Sequence, residues 1–332
     1  MKKIVITLLV IDVITLLCFF IVYGPIKYPR EFWITTSMKT MNHRYLAHIF
    51  YSDKTILKVL NNNTISNFKE NTDASEIKIG EYVSTSVYDK EILDHDPDEL
   101  YKIINFKYNG YNVYLTAIYD PSRVSLVSSR YLGSYGELIT TICNVNDGKV
   151  CINASGFSDE AGKGTGGSPT GTVIENGKIV WSSSSHTGGL IGFNKDNVLV
   201  LTNESATDAI KNGIVDAVEF GPFLIVNGKE ATIKGNGGWG IQPRAAIGQR
   251  KDGIVLFLIV DGNNKGDLNY NGRGGVDLKA LIEIFKKYGA YNAANLDGGA
   301  STSMAVGSTL YNKPLGSGPT GERKLPNAWI VK

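Results

Sequence analysis

The chain is short of cysteine and histidine and has no surplus of charge, and each shortage closes off a class of function. Three cysteines in 332 residues do not make a disulfide scaffold. Four histidines, with His186 alone beyond residue 95, give a serine-hydrolase triad one candidate base and leave a histidine-rich metallophosphodiesterase without ligands. Against 34 Lys and Arg stand 32 Asp and Glu, a net charge of only +2, too little to neutralise a nucleic-acid backbone. Glycine is scarce at first: only Gly24, Gly80 and Gly110 precede Leu132, and the other 34 of 37 follow it. That asymmetry divides the chain in two.

One long apolar run is present, Ile4 to Val22, with Asp12 its single charge. Its length suits a helix that crosses hydrocarbon. Lys2 and Lys3 in front of it favour a cytoplasmic start and an extracytoplasmic remainder. The run is long for a signal core, and Tyr-Gly-Pro-Ile-Lys-Tyr-Pro after it offers no small-x-small cleavage site, so an uncleaved single-pass anchor in the cell membrane is the expectation. Cys18 lies deep in this run. Cys143 and Cys151 flank Asn146-Asp147-Gly148, a hairpin turn signal that could set them across two strands, as a disulfide or as two free thiols.

From Glu31 to Asn105 the chain is charged and glycine-poor. Ile56-Leu57-Val59-Leu60 after Ser52-Asp53 predicts a short helix ending at Asn61 to Asn63. His43, His48 and His95 fall here without zinc-like spacing. Beyond Phe106 short strands alternate with turns. Val113 to Tyr119 is β-rich and stops at Asp120-Pro121-Ser122, and Asn-Gly pairs at 176–177 and 227–228 predict tight hairpins.

The most informative stretch is a strand, a helix and a strand. Ile254 to Val260 is continuously apolar and ends at Asp261-Gly262; Leu278 to Tyr288 has helical periodicity and stops at Gly289; Ala293 to Leu296 is a second buried run ending at Asp297-Gly298-Gly299. A crossover of this kind predicts parallel strands, adjacent or one apart. Both aspartates then emerge at one carboxyl edge, where α/β sheets place ligand crevices, roughly 5 to 10 Å apart by strand spacing. That range suits a carboxylate pair acting on a glycosidic bond. An Asp-Gly turn after each strand is the plainer reading.

In order along the chain stand Asn153-Ala-Ser-Gly156-Phe157, Gly167-x-Pro169-x-Gly171, Phe220-Gly221-Pro222 running to Asn227-Gly228, Arg244-Ala-Ala-Ile-Gly248, Val260-Asp261-Gly262, Asn295-Leu-Asp297-Gly-Gly-Ala-Ser301-Thr-Ser303-Met304 and Glu322-Arg323. Together they resemble the phosphodiester glycosidase family, whose type activity removes N-acetylglucosamine from a phosphodiester. Trp33 to His43 is similar to the juxtamembrane part of membrane-anchored bacterial members associated with exopolysaccharide biosynthesis. Two departures are visible: Asn-Ala-Ser-Gly-Phe replaces the usual Asn-Gly-Gly-Phe, and Gly298-Gly-Ala-Ser-Thr-Ser303 replaces Gly-Gly-Gly-Ser-Ser.

The resemblance implies hydrolysis of a sugar-1-phosphodiester between the anomeric carbon and oxygen. It implies Asp297 as the reacting carboxylate with Asp261 and Glu219 as partners. Arg244 and Arg323 are implied on the phosphate, whose leaving charge needs cationic neutralisation more than an acid. Gly298 and Gly299 amides with Ser301 and Ser303 hydroxyls are the candidates for an anion nest. Asn153, with Gly156 in the same motif, is the candidate for a sugar hydroxyl or acetamide.

Other patterns are set aside or left open. Gly162-x-Gly164-x-x-Gly167 and Gly235-x-Gly237-x-x-Gly240 do not sit between a strand and a helix, so no dinucleotide cofactor is expected. Asp267-x-Asn269-x-Asn271-Gly272 begins like a calcium loop but has Leu278 at the twelfth place; a divalent cation and a lid hinged at Gly272, Gly274 and Gly275 both stay open. Trp239 could stack on a sugar or simply pack.

The expected class is mixed α/β: a strand-rich, glycine-rich domain with a mixed sheet and a C-terminal βαβ unit. Residues 1–26 are read as cytoplasmic end and transmembrane anchor, 27–105 as a juxtamembrane helical or linker region, and 106–332 as the phosphodiester glycosidase domain. Its expected partners are a sugar-phosphate or polysaccharide substrate and the membrane, with no nucleic acid. A non-catalytic glycan-binding or assembly protein of exopolysaccharide biosynthesis is the alternative.

Overall fold

The computed structural model describes residues 2–40, 43–81, 87–159, 164–262, 274–316 and 318–332. The cation-loop residues 267–272 and Gly162 lie outside them. Two compact units result, Met1–Ile65 with Ile233–Gly240, and Ser66–Thr232 with Ile241–Lys332.

The first unit is helical. The apolar run forms α1, Lys2–Tyr23, long and apolar enough to cross a membrane. Helices α2 (Lys27–Lys39), α3 (Tyr45–Phe50) and α4 (Asp53–Asn62) follow. The expected α4 is there for the expected reason: Ser52 caps it by accepting from the Thr55 amide, Ile56 and Val59 turn inward, and Asn63 closes it. Ile34, Ala47, Tyr51, Ile56 and Val59 form its core. The two-residue strands Thr64–Ile65 (β1) and Ile233–Lys234 (β13, counting in chain order) pair antiparallel. Trp239 belongs to this unit, with Lys39 Nζ 4.2 Å from its ring centroid.

The second unit carries three sheets in which every described ladder is antiparallel. Seven strands build the largest. Across it lie β12 (Lys229–Glu230), β11 (Phe223–Val226), β16 (Ala290–Asn295), β14 (Arg244–Arg250), β15 (Val255–Val260), β3 (Tyr111–Ile118) and β2 (Tyr101–Tyr108). The second sheet orders β18 (Thr309–Leu310), β17 (Met304–Val306), β5 (Val150–Asn153), β19 (Asn327–Val331) and β4 (Val124–Ser128). The third orders β7 (Lys178–Trp181), β6 (Val173–Glu175), β10 (Ile214–Phe220), β8 (Gly189–Asn194) and β9 (Leu199–Thr202). Short helices α5 (Asp89–Leu93), α6 (Ile139–Val145) and α7 (Ala206–Lys211) and the longer α8 (Leu278–Lys287) accompany them. Both expected Asn-Gly hairpins form, β6–β7 and β11–β12, with Asn176 and Asn227 at φ near +50°.

The crossover positions the site. Asp277 caps α8 by accepting from the Ala280 amide, Leu278, Leu281 and Phe285 are buried, and Gly289 at φ +75° ends the helix. Phe285 presses on β14: a Cβ on Gly248 would stand 2.8 Å from its ring. Strands β15 and β16 do run in the same direction, one strand apart, because β14 lies between them and opposes both. The expectation of a mixed sheet therefore gives way in detail: the α/β, strand-rich class stands, but the neighbours are antiparallel.

The cysteines also differ from the hairpin expected of them. Cys143 sits in α6 and Cys151 in β5, and they are joined as a disulfide with 5.8 Å between Cα atoms. The Asp147-Gly148 turn reverses the chain out of a helix rather than out of a strand.

Candidate active site

Strand order assembles the site. Val260 at the end of β15 faces Arg244 at the start of β14, and Leu296 just beyond β16 donates its amide to the Ala245 carbonyl. Asp261, Arg244 and Asp297 therefore leave three neighbouring strands at one edge, with the cation on the middle strand. Asn295 fixes the exit of β16 by bonding the carbonyls of Gly221 and Pro222.

Asp297 is half-buried. Burial pushes its carboxyl up to about 6, against the Ser301 hydroxyl, the Arg323 guanidinium and the Gly298 amide, with Asp159 adding to the rise. Arg244 is 2% exposed, and its Nε donates to the Val276 carbonyl. Burial draws its guanidinium down to about 10, although Asp277 and Asp297 oppose this. Arg323 is held from two sides: it donates to Asp159 Oδ2 at 2.6 Å and lies 4.5 Å from the Phe157 ring centroid.

Asp261 is saturated by comparison. It accepts from the Tyr114 hydroxyl and Asn312 Nδ2, each at 2.9 Å, and from the Lys313 amide. Its carboxyl is raised by burial, with those bonds opposing. Glu219 stands on a different sheet, at the end of β10. It accepts from the amides of Thr172 and Thr187 and sits 3.1 Å from His186 Nδ1, whose ring is mostly exposed.

Two of the donors expected to cradle phosphate are bonded within the fold. The Gly299 amide bonds the Pro243 carbonyl and Ser303 Oγ bonds the Ser301 carbonyl, while the Ser301 hydroxyl and the Gly298 amide favour the ionised form of Asp297. These groups belong to the turn that follows Asp297. Asn153 is fully buried beneath it: Nδ2 donates to the Asp297 carbonyl at 2.7 Å and Oδ1 accepts from the Ser303 amide. Gly156 permits a close approach, since a Cβ there would come within 2.9 Å of both the Phe220 ring and Thr170 Oγ1. Gly274 and Gly275 both have positive φ, and a Cβ on Gly275 would strike the Gln242 carbonyl.

Three residues escaped the sequence reading. Asp159 lies two places beyond the quoted Asn153 to Phe157 motif, so extending that motif would have found it. Tyr114 and Asn312 reach Asp261 from 147 and 51 residues away, and no local pattern marks them. Among the described residues no group of three or more His, Cys, Asp or Glu side chains converges as metal ligands would.

The site lies within a stretch with known relatives. A model of the phosphodiester glycosidase family matches residues 146–332. The chain belongs to the phosphodiester glycosidase family. The SPbeta prophage-derived uncharacterized protein YomE of Bacillus subtilis (strain 168) is 28% identical over 207 residues, covering 59% of this chain and 30% of that protein. The N-acetylglucosamine-1-phosphodiester α-N-acetylglucosaminidase of Bos taurus is 26% identical over 161 residues, 43% of this chain and 29% of that enzyme. The chain thus spans under a third of the length of these curated relatives. The catalytic domain of the zebrafish enzyme, solved auto-inhibited by its pro-peptide, superposes with a TM-score of 0.56 at 21% identity, covering 71% of this chain and 85% of that domain. That likeness establishes the phosphodiester glycosidase fold. Asp261, Asp297, Glu219, Arg244 and Arg323 all fall inside the family match.

Proposed function

We propose that this phosphodiester glycosidase is a membrane-anchored, extracytoplasmic hydrolase that cleaves the bond between the anomeric carbon and the phosphate oxygen of a sugar-1-phosphodiester. An N-acetylhexosamine is the preferred sugar, and a cell-surface polysaccharide or its precursor the source. The observation that carries this is Asp297: a partly exposed carboxyl raised to about 6 at a sheet edge, flanked by two cations. Such a group is ionised at neutral pH yet poorly solvated, which suits attack on an oxocarbenium-like centre or activation of water. Water oxygen ends on the sugar carbon, the carbon–oxygen bond breaks, and the phosphate departs with the bonding electrons.

Arg323, presented by Asp159 and Phe157, neutralises the departing phosphate. Arg244 acts from below as a fixed positive charge on the Asp297 turn. Asn153 and Asp261 are positioning residues: the first ties Asp297 to Ser303, the second ties β15 to the Asn312 loop. Helix α1, which opens on Lys2 and Lys3, supplies the anchor and leaves the sheets outside.

The test is to incubate the full chain in detergent with UDP-N-acetylglucosamine and a panel of sugar-1-phosphodiesters, beside Asp297→Ala, and to quantify free sugar. Release that disappears in the variant supports the hydrolase. Glycan binding without release from any donor would replace it with the non-catalytic assembly role.

A further inference from the structure

The helical unit carries an unusual surface for a protein in water. Tyr28 is 68% exposed, Tyr45 and Ile49 59% each, Ile26 51%, and Trp33 and Phe50 38% each. These six side chains come from α2, α3 and the link before α2. Exposed apolar groups concentrated in one small unit mark an interaction surface. Helix α4 of the same unit turns Asp53, Lys54, Lys58 and Asn61 outward, with Leu57 the apolar exception.

The position of α1 identifies what covers that surface. At about 1.5 Å per residue its 22 residues span roughly 33 Å, the thickness of a hydrocarbon core. Only Gly24, Pro25 and Ile26 separate α1 from α2, a reach of about 10 Å at full extension. The end of α1 is also packed into the unit. Tyr51 donates its hydroxyl to the Val22 carbonyl, and Val22 joins the cluster around Ile34 and Ala47. A chain of aromatic rings runs outward from there: Phe19 to Tyr23, Tyr23 to Tyr51, Tyr51 to Phe50, and Phe50 to Trp33, with centroids 4.9 to 6.5 Å apart. Trp33 is locked in place by donating Nε1–H to the Leu46 carbonyl.

We infer that Ile26, Tyr28, Trp33, Tyr45, Ile49 and Phe50 are seated in the headgroup layer of a phospholipid bilayer. The inference rests on the reading of α1 as a membrane span and extends it. Tyrosine and tryptophan prefer that layer because their rings shed water while their polar ends keep it, and Lys27, Arg30 and Arg44 beside them meet anionic headgroups. The helical unit is then an interfacial collar fused to the anchor.

The test uses the full chain with Cys18→Ser, which leaves the disulfide intact, and one added cysteine labelled with an environment-sensitive fluorophore. Tyr28→Cys and Ile49→Cys report the collar; Lys54→Cys on α4 is the reference. In vesicles of phosphatidylcholine and phosphatidylglycerol, labels at 28 and 49 are expected to emit to the blue of the label at 54. They should be quenched several-fold more by a shallow spin-labelled lipid and less by iodide. Protein that floats with the vesicles but shows equal iodide access at all three sites overturns the collar while keeping the anchor. Protein that does not float overturns the anchor reading itself.

Discussion

The two ends of β14 each hold a buried arginine, six residues apart, and they are treated in opposite ways. Arg250, 1% exposed, bonds Asp252 through Nε and Nη2, Asp89 through Nη1 and the Tyr288 carbonyl. Burial pulls its guanidinium down, but the Asp252 and Asp89 bonds outweigh that and raise it. At Arg244 burial wins, and the guanidinium falls to about 10 while the neighbouring Asp297 rises to about 6. One end spends its charges on holding Asp89 and α5 against the sheet. The other lowers its cation and raises its acid, so that both charged forms are disfavoured, which is the signature of a site built to bind or react.

The contrast can be broken by substitution. Asp297→Asn should lower turnover by about 10²- to 10⁴-fold, the range for a positioned acid–base group, as sugar release in steady state would show. Arg250→Met strands two buried carboxylates and should cost about 3 to 5 kcal/mol of stability. Thermal unfolding measures that loss, and turnover per folded molecule should be unchanged; a matching loss of turnover would erase the distinction between the two ends.

Subtler is the pH dependence of the Asp297→Asn stability. A carboxyl raised from 3.8 to about 6 in the folded state binds its proton more tightly there than in the unfolded chain. Stability is therefore lost as pH climbs between those values, by at most about 3 kcal/mol, less because the group is partly exposed. The Asn variant is spared this loss, so its melting temperature should exceed the wild type at pH 8 and approach it below pH 4. The smallest effect is expected from Asp159→Asn. Removing a negative charge that raises Asp297, and loosening Arg323, should shift the acidic limb of kcat to lower pH and raise KM a few-fold; an unmoved limb would take Asp159 out of the site.

Much of this edge was legible in the sequence, and the reasons are local. Asp-Gly after each apolar strand, the capped periodicity of α8 and the Asn-Gly turns depend on a few neighbouring residues. The insertion of β14 between β15 and β16 was not legible, since a crossover one strand apart looks the same in sequence as an adjacent one. Which of the glycine amides and serine hydroxyls after Asp297 stay open to a ligand has no local signal, since the Gly299 amide meets a Pro243 carbonyl that folding brings to it. The Arg250 to Asp89 bond closes over 161 residues and leaves no trace in spacing.

The family match begins at residue 146, yet β3 covers one side of β15 and β4 one side of β19. Both covering strands lie earlier in the chain. A fragment trimmed to the matched stretch would carry two raw strand edges, one of them Val-Leu-Phe-Leu-Ile-Val with every side chain buried in the intact protein. Such edges recruit other copies. Anyone excising the family-matched half should expect fibrous or insoluble material unless the cut is placed ahead of Tyr101.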